Sequence, residues 1–108
     1  MKESDFQHDL IKEIESRFQG SIVMKTDSSY IQGIPDLLVL YGSKWASLEV
    51  KRSAKEIHRP NQDYYVDTMN GMSYSSFIYP ENKEDVLNGL SEYFLRNTLC
   101  LVRANRHG

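Results

Sequence analysis

The sequence predicts an α/β fold in which a mixed central sheet is flanked by helices, in the order α-β-β-β-α-β-α. Three observations lead there. Apolar residues recur at helical spacing in three separate stretches. Short, largely apolar stretches lie between them, of the length and composition of strands. Glycine or proline marks the joins, at Gly20, Gly42, Pro60, Gly71 and Pro80.

Phe6, Leu10, Ile11, Ile14 and Phe18 form one apolar stripe, and Ser4 followed by Gln7 resembles a capping box, so the first helix is expected from about Ser4 to Phe18. Gly20 ends it. Ser21 to Lys25 (SIVMK) reads as a strand, and Thr26 to Gly33 (TDSSYIQG) as a mostly polar loop. Pro35 to Tyr41 (PDLLVLY) and Lys44 to Lys51 (KWASLEVK) read as a β-hairpin about Gly42-Ser43, with Leu37 to Leu40 and Val50 buried. Arg52 to Arg59 (RSAKEIHR) is a basic loop, after which Pro60 suits the first turn of a helix. Gln62, Tyr65, Val66 and Met69 give that second helix its stripe, ending near Gly71. Ser73 to Tyr79 (SYSSFIY) reads as a further strand, and Pro80 precedes a third helix with Val86, Leu87, Leu90 and Phe94 on its apolar face. Thr98 to Val102 (TLCLV) is expected to add a last strand before a frayed tail from Arg103 to Gly108.

The chain of 108 residues is read as one domain, 1-108, with a single core. A hydrophobic content of 40% and a charged content of 26% are those of a soluble globular protein. The formal net charge of −2 supplies no global basic field, so any polyanion must meet a local patch. The sole cysteine, Cys100, cannot form an internal disulfide, and no Cys and His cluster has zinc-ligand spacing. A cytoplasmic location is the expectation. The charged start MKESDFQHDL is unlike a signal peptide, and no run approaches the ~20 apolar residues of a membrane helix.

The informative constellation lies on the hairpin. With the turn at Gly42-Ser43, facing positions sum to 85, which sets Asp36 opposite Glu49. Two carboxylates so placed have β-carbons roughly 5 Å apart and destabilise a sheet unless something compensates. A divalent cation compensates, because hard cations such as Mg²⁺ take one or two carboxylates together with waters and phosphate oxygens. Lys51 lies two residues beyond Glu49 and so shares its face of the strand. The bland alternative is a surface charge cluster, against which the apolar neighbours argue. Gln62 falls on the inward stripe of the second helix, where an amide needs partners; these are either nearby backbone groups or the site itself.

Pro35-Asp36, twelve intervening residues and Glu49-Val50-Lys51 resemble the PD-(D/E)XK nuclease signature, and the element order resembles the restriction-endonuclease-like core of that superfamily. Gly33-Ile34-Pro35-Asp36, Glu49-Val50-Lys51-Arg52 and Pro60-Asn61-Gln62 resemble more narrowly the VRR-NUC branch, which is similar to Holliday-junction resolvases; the resemblance spans about residues 3 to 80. It implies that Asp36 and Glu49 ligate Mg²⁺ or Mn²⁺, that the Val50 carbonyl adds a ligand, and that Lys51 and Gln62 complete a catalytic set. It also implies an acid on the first helix. Glu3 and Gln7 both fall within the apolar stripe, and only Glu3 is an acid, although a helix capped at Ser4 leaves it just outside the first turn.

Arg52, Lys55 and Arg59, with Lys51 and His58, make the one local concentration of positive charge, interrupted by Glu56. Beside a phosphate-cleaving site it becomes a backbone contact for DNA; alone, it is a solvated face. Lys25, Tyr30, Ser28 and Ser29 are weaker candidates. His8, His58 and His107 read as exposed rather than as ligands, and Tyr64-Tyr65 as one ring inward and one outward. The expectation is a Mg²⁺-dependent DNA endonuclease acting as a homodimer, with branched or flapped DNA implied by the resemblance alone. The alternative is a nuclease-like fold without catalysis, used to bind nucleic acid or to assemble, and RNA stays open as a substrate.

Overall fold

A computed structural model describes residues 2 to 107, with side chains through Leu95. Its elements follow the expected order: α1 (Glu3–Arg17), β1 (Ile22–Lys25), β2 (Leu37–Tyr41), β3 (Lys44–Val50), α2 (Pro60–Met72), β4 (Tyr74–Ile78) and α3 (Lys83–His107). The four strands form one sheet in sequence order. The pairs β1·β2 and β2·β3 are antiparallel and β3·β4 is parallel, so the sheet is mixed. The parallel pair requires a crossover, which α2 supplies.

Side chains alternate across the sheet and sort its two faces. Leu37, Val39, Ala46, Leu48, Val50 and Ile78 point into one core with Phe6, Leu10, Ile14 and Phe18 of α1 and Val86, Leu87, Leu90 and Phe94 of α3. Phe18, Tyr41 and Phe94 meet through their rings, with centroids 5.1 to 5.9 Å apart. The opposite face is covered by α2 over β3 and β4, where Met69 Sδ lies 3.6 Å from the Ser47 hydroxyl oxygen and the Ser75 amide donates to Asn70 Oδ1 at 3.0 Å. Leu38 and Leu40 are therefore half-buried on that second face, whereas the sequence reading had the whole run from Leu37 to Leu40 buried.

Two boundaries differ from expectation. The Ser4 capping box does not form: Lys2 takes the N-cap position, and its carbonyl accepts the Asp5 and Phe6 amides at 3.1 Å each. Starting two positions earlier than the Ser4 cap implies keeps the apolar stripe inward and brings Glu3 into the first turn. Thr98 to Val102 is not a strand but part of α3, which runs through the supposed tail to His107. A five-residue apolar run reads equally as strand or helix, and between Phe94 and Thr98 (Leu95-Arg96-Asn97) there is no glycine or proline to stop the helix. Among the described residues no helix is long and apolar enough to cross a membrane.

Candidate active site

The hairpin has the register read from its turn, with Tyr41 paired to Lys44 and Leu37 to Leu48. Gly42 occupies the left-handed region at φ 62°, which the tight turn requires. Asp36 stands one residue before β2 and is held on three sides. Its carbonyl accepts the Thr26 amide at 2.9 Å, the Thr26 hydroxyl bonds the preceding Pro35 carbonyl at 2.6 Å, and its Oδ2 accepts the Val50 amide at 2.9 Å. The carboxylate thus extends the ladder beyond the last residue pair and aims its second oxygen at Glu49.

Glu49 is only 4% exposed. Burial first, and then the charge of Asp36, push its carboxyl up to about 8; the protonated group donates a hydrogen bond to Asp36. Burial also raises Asp36, against the lowering effect of the Val50 amide and the Glu49 bond. Burial of Glu49 and the facing Asp36 thus favour one proton on the pair, the pattern of coupled carboxyls.

Gln62 ties this pair to the lysine. Its Nε2 donates to Glu49 Oε2 at 3.0 Å, while its Oε1 accepts Lys51 Nζ at 2.7 Å and the Arg59 amide at 3.0 Å. The inward amide is thus satisfied at once by the site and by backbone, and the Arg59 bond fixes the start of α2. Lys51 is 3% exposed, and its ammonium also donates to the Ile57 carbonyl at 3.2 Å and stands 3.8 Å from Glu56 Oε2. A buried ammonium needs this many acceptors.

One cleft of about 660 Å³ is lined by Glu3, Asp36, Glu49, Lys51, Arg52, Lys55, Glu56, Ile57, Arg59 and Gln62. It gathers Glu3, the acid pair, Lys51, Gln62 and the three basic residues Arg52, Lys55 and Arg59; Val50 lies outside it, its side chain in the core and its amide anchoring Asp36. Glu3 lines the cleft and Gln7 does not, which separates the two candidates on α1. Burial raises the Glu3 carboxyl, and the charges of Glu56 and Asp36 raise it further, against Lys51 and Arg52. Arg52 pairs with Glu56 at 3.5 Å, while Lys55 and Arg59 have no ion-pair partner among the described residues. His58 stacks on Phe77 with centroids 3.8 Å apart and meets Asp63 at 3.2 Å, so it braces the loop. The His107 side chain lies outside the described residues.

A second cleft of about 540 Å³ shares Asp36, Glu49, Arg59 and Gln62 and continues past Ser28, Ser29, Gln32 and Gly33 to Pro60 and Asn61. The acid pair therefore sits at the waist of a groove open on both sides. Sequence reasoning missed the joint beneath it. Gly33, at φ 89°, packs so closely on Asn61 that a Cβ there would lie 2.4 Å from Asn61 Cβ and 2.9 Å from its backbone carbon. The sequence reading has Gly33 at the end of a polar loop and carries no sign of the helix it packs against.

No family model and no curated protein matches the sequence. A solved structure described as a VRR_NUC domain is similar to this chain, with a TM-score of 0.59 and 22% identity over 81% of this chain and 96% of that one. The chain has the VRR_NUC fold. The match covers most of the chain, and the mixed sheet with its flanking helices has a restriction-endonuclease-like fold.

Proposed function

We propose that this VRR_NUC-fold protein is a divalent-cation-dependent nuclease that hydrolyses phosphodiester bonds in DNA. The observation that carries the proposal is half-buried Asp36 facing buried Glu49, linked through Gln62 to the buried ammonium of Lys51 in a cleft bordered by cations. The donors suit Mg²⁺ or Mn²⁺: both acids present hard oxygens, and the proton they share is one a cation could displace. Asp36, Glu49 and the Val50 carbonyl are the proposed ligands, with Glu3 supporting from α1. A divalent cation bound there supplies an acidified water and neutralises charge on the scissile phosphate.

The chain's own residues do the rest. Gln62 holds Glu49 and Lys51 in fixed relation, so neither has to reorganise as charge develops. Lys51 offsets negative charge on the phosphate oxygens, and Arg52, Lys55 and Arg59 hold flanking phosphates. Two copies acting as a homodimer would address two strands, and the exposed apolar side chains Ile22 and Met24 on the β1 edge support such a contact. Sedimentation equilibrium tests that part.

Cleavage of labelled DNA in Mg²⁺ or Mn²⁺ tests the activity, with a panel of linear, flapped, four-way, single-stranded and RNA substrates setting its preference. Asp36→Asn is expected to reduce the rate at least ~10³-fold, the scale of losing a preorganised electrostatic group. Undiminished cleavage by Asp36→Asn overturns the assignment. One observation favours the second reading, a binding module without hydrolysis: among the described residues no three His, Cys, Asp or Glu side chains converge as a metal cluster. DNA binding with no cation uptake at the acid pair would establish that reading instead.

A further inference from the structure

Ile57 lines the cleft that holds Asp36, Glu49 and Lys51, yet 83% of it faces solvent. Single exposed apolar residues are common on mobile surfaces and need no explanation. This one is held firmly. Its carbonyl accepts Lys51 Nζ at 3.2 Å, so the backbone of the loop tip is bonded to a buried residue of the site. The preceding residue is fixed by the Glu56 carboxylate, which accepts the Arg52 amide at 2.7 Å. The following residue is fixed by the stack of His58 on Phe77 at 3.8 Å. A β-branched side chain with few rotamers is thereby held at the edge of the cleft on a fixed backbone.

Its surroundings say what it meets. Lys55 and Arg59 lie on either side in sequence, both exposed and without ion-pair partners among the described residues. Unpaired cations flanking a rigid apolar tip suit a strand whose phosphates are held on both sides of one base step. Apolar side chains such as isoleucine part such steps in proteins that kink or unstack DNA.

Resting on the nuclease reading, we infer that Ile57 is a wedge that enters between neighbouring bases beside the scissile phosphate, and that the substrate class is DNA with unpaired or easily unstacked bases at the cut. Unstacking costs least where pairing is already interrupted, so the wedge selects junctions, mismatches and loops over continuous duplex.

The test compares wild type, Ile57→Ala, Ile57→Leu and, as a control, Met72→Ala, which removes a side chain 69% exposed at the far end of α2. Cleavage in Mn²⁺ is measured on a single strand and on the same strand placed in a mismatched duplex. Separately, with EDTA present, each protein at saturating concentration is bound to the duplex carrying 2-aminopurine at the mismatch. Ile57→Ala is expected to lower the ratio of duplex to single-strand cleavage at least ~10-fold and to lose the 2-aminopurine brightening that wild type produces, with Ile57→Leu restoring both. Equal duplex-to-single-strand ratios in wild type and Ile57→Ala, or equal brightening, overturn the wedge. If wild type cuts neither substrate, the nuclease reading fails, and the brightening comparison, which needs no cleavage, still decides the wedge.

Discussion

Ser47 and Glu49 lie two residues apart on the same face of β3, both buried, yet they resolve their polarity in opposite ways. Ser47 donates to the Ser75 hydroxyl on β4 at 2.7 Å beneath the last turn of α2, forming a neutral pair with each oxygen partnered. Glu49 faces another acid, and its amide partner Gln62 cannot cancel the charge. The helix that seals the serines ends its cover at the acids, because its first turn begins at Pro60 beside the groove. A buried polar pair that is internally complete adds to the fold, whereas one that is incomplete identifies where a ligand belongs.

The widest separation between the two pairs should come from Glu49→Gln. It is expected to reduce cleavage at least ~10³-fold while stabilising the cation-free protein at alkaline pH, because an amide can still accept from Gln62 and donate to Asp36 without charge. The pH dependence follows from the raised carboxyl. Folding lifts Glu49 from an ordinary 4.5 to about 8, so the folded chain holds the proton more tightly than the unfolded one. Its contribution to stability is fully present below 4.5 and is lost as pH rises through about 8. Thermal melts in EDTA from pH 5 to 9 should show that loss in wild type and a flatter profile in Glu49→Gln.

Next in size is Gln62→Ala, which leaves both Glu49 and Lys51 without their bridge. Cleavage is expected to fall about 10- to 100-fold, the cost of removing a residue that orients the groups at a metal site. A change below twofold would mean the bridge has no role. Gly33→Ala should lower stability by about 2 to 3 kcal/mol, through the positive φ and the clash with Asn61, measured by urea unfolding. Because Asn61 adjoins Gln62, activity should drop with it. The smallest effect is that of Ser47→Ala, about 1 kcal/mol of stability with cleavage close to wild type, since it orphans only the Ser75 hydroxyl.

The comparison also explains how much was legible in the chain. The hairpin register could be read because a two-residue glycine turn fixes it, and with it the opposition of Asp36 and Glu49. Gln62 could be read because a polar residue on an apolar stripe is conspicuous. Glu3 was recognisable as the acid on the inward face, but its place in the first turn was not, since Lys2 rather than Ser4 begins the helix. The packing of Gly33 on Asn61, the acceptors around Lys51 and the exposure of Ile57 join parts of the chain through tertiary contact, and local spacing carries no trace of them. Thr98 to Val102 misled because a short apolar run has no period of its own.

The central claim is that Asp36 and Glu49 hold one proton between them until a divalent cation takes its place. Calorimetric titration of Mn²⁺ at pH 7, repeated in buffers of differing ionisation enthalpy, measures both uptake and proton release. The expected result is one cation bound with release of about one proton, and neither in Glu49→Gln. Binding without proton release, or equal binding by Glu49→Gln, would contradict it.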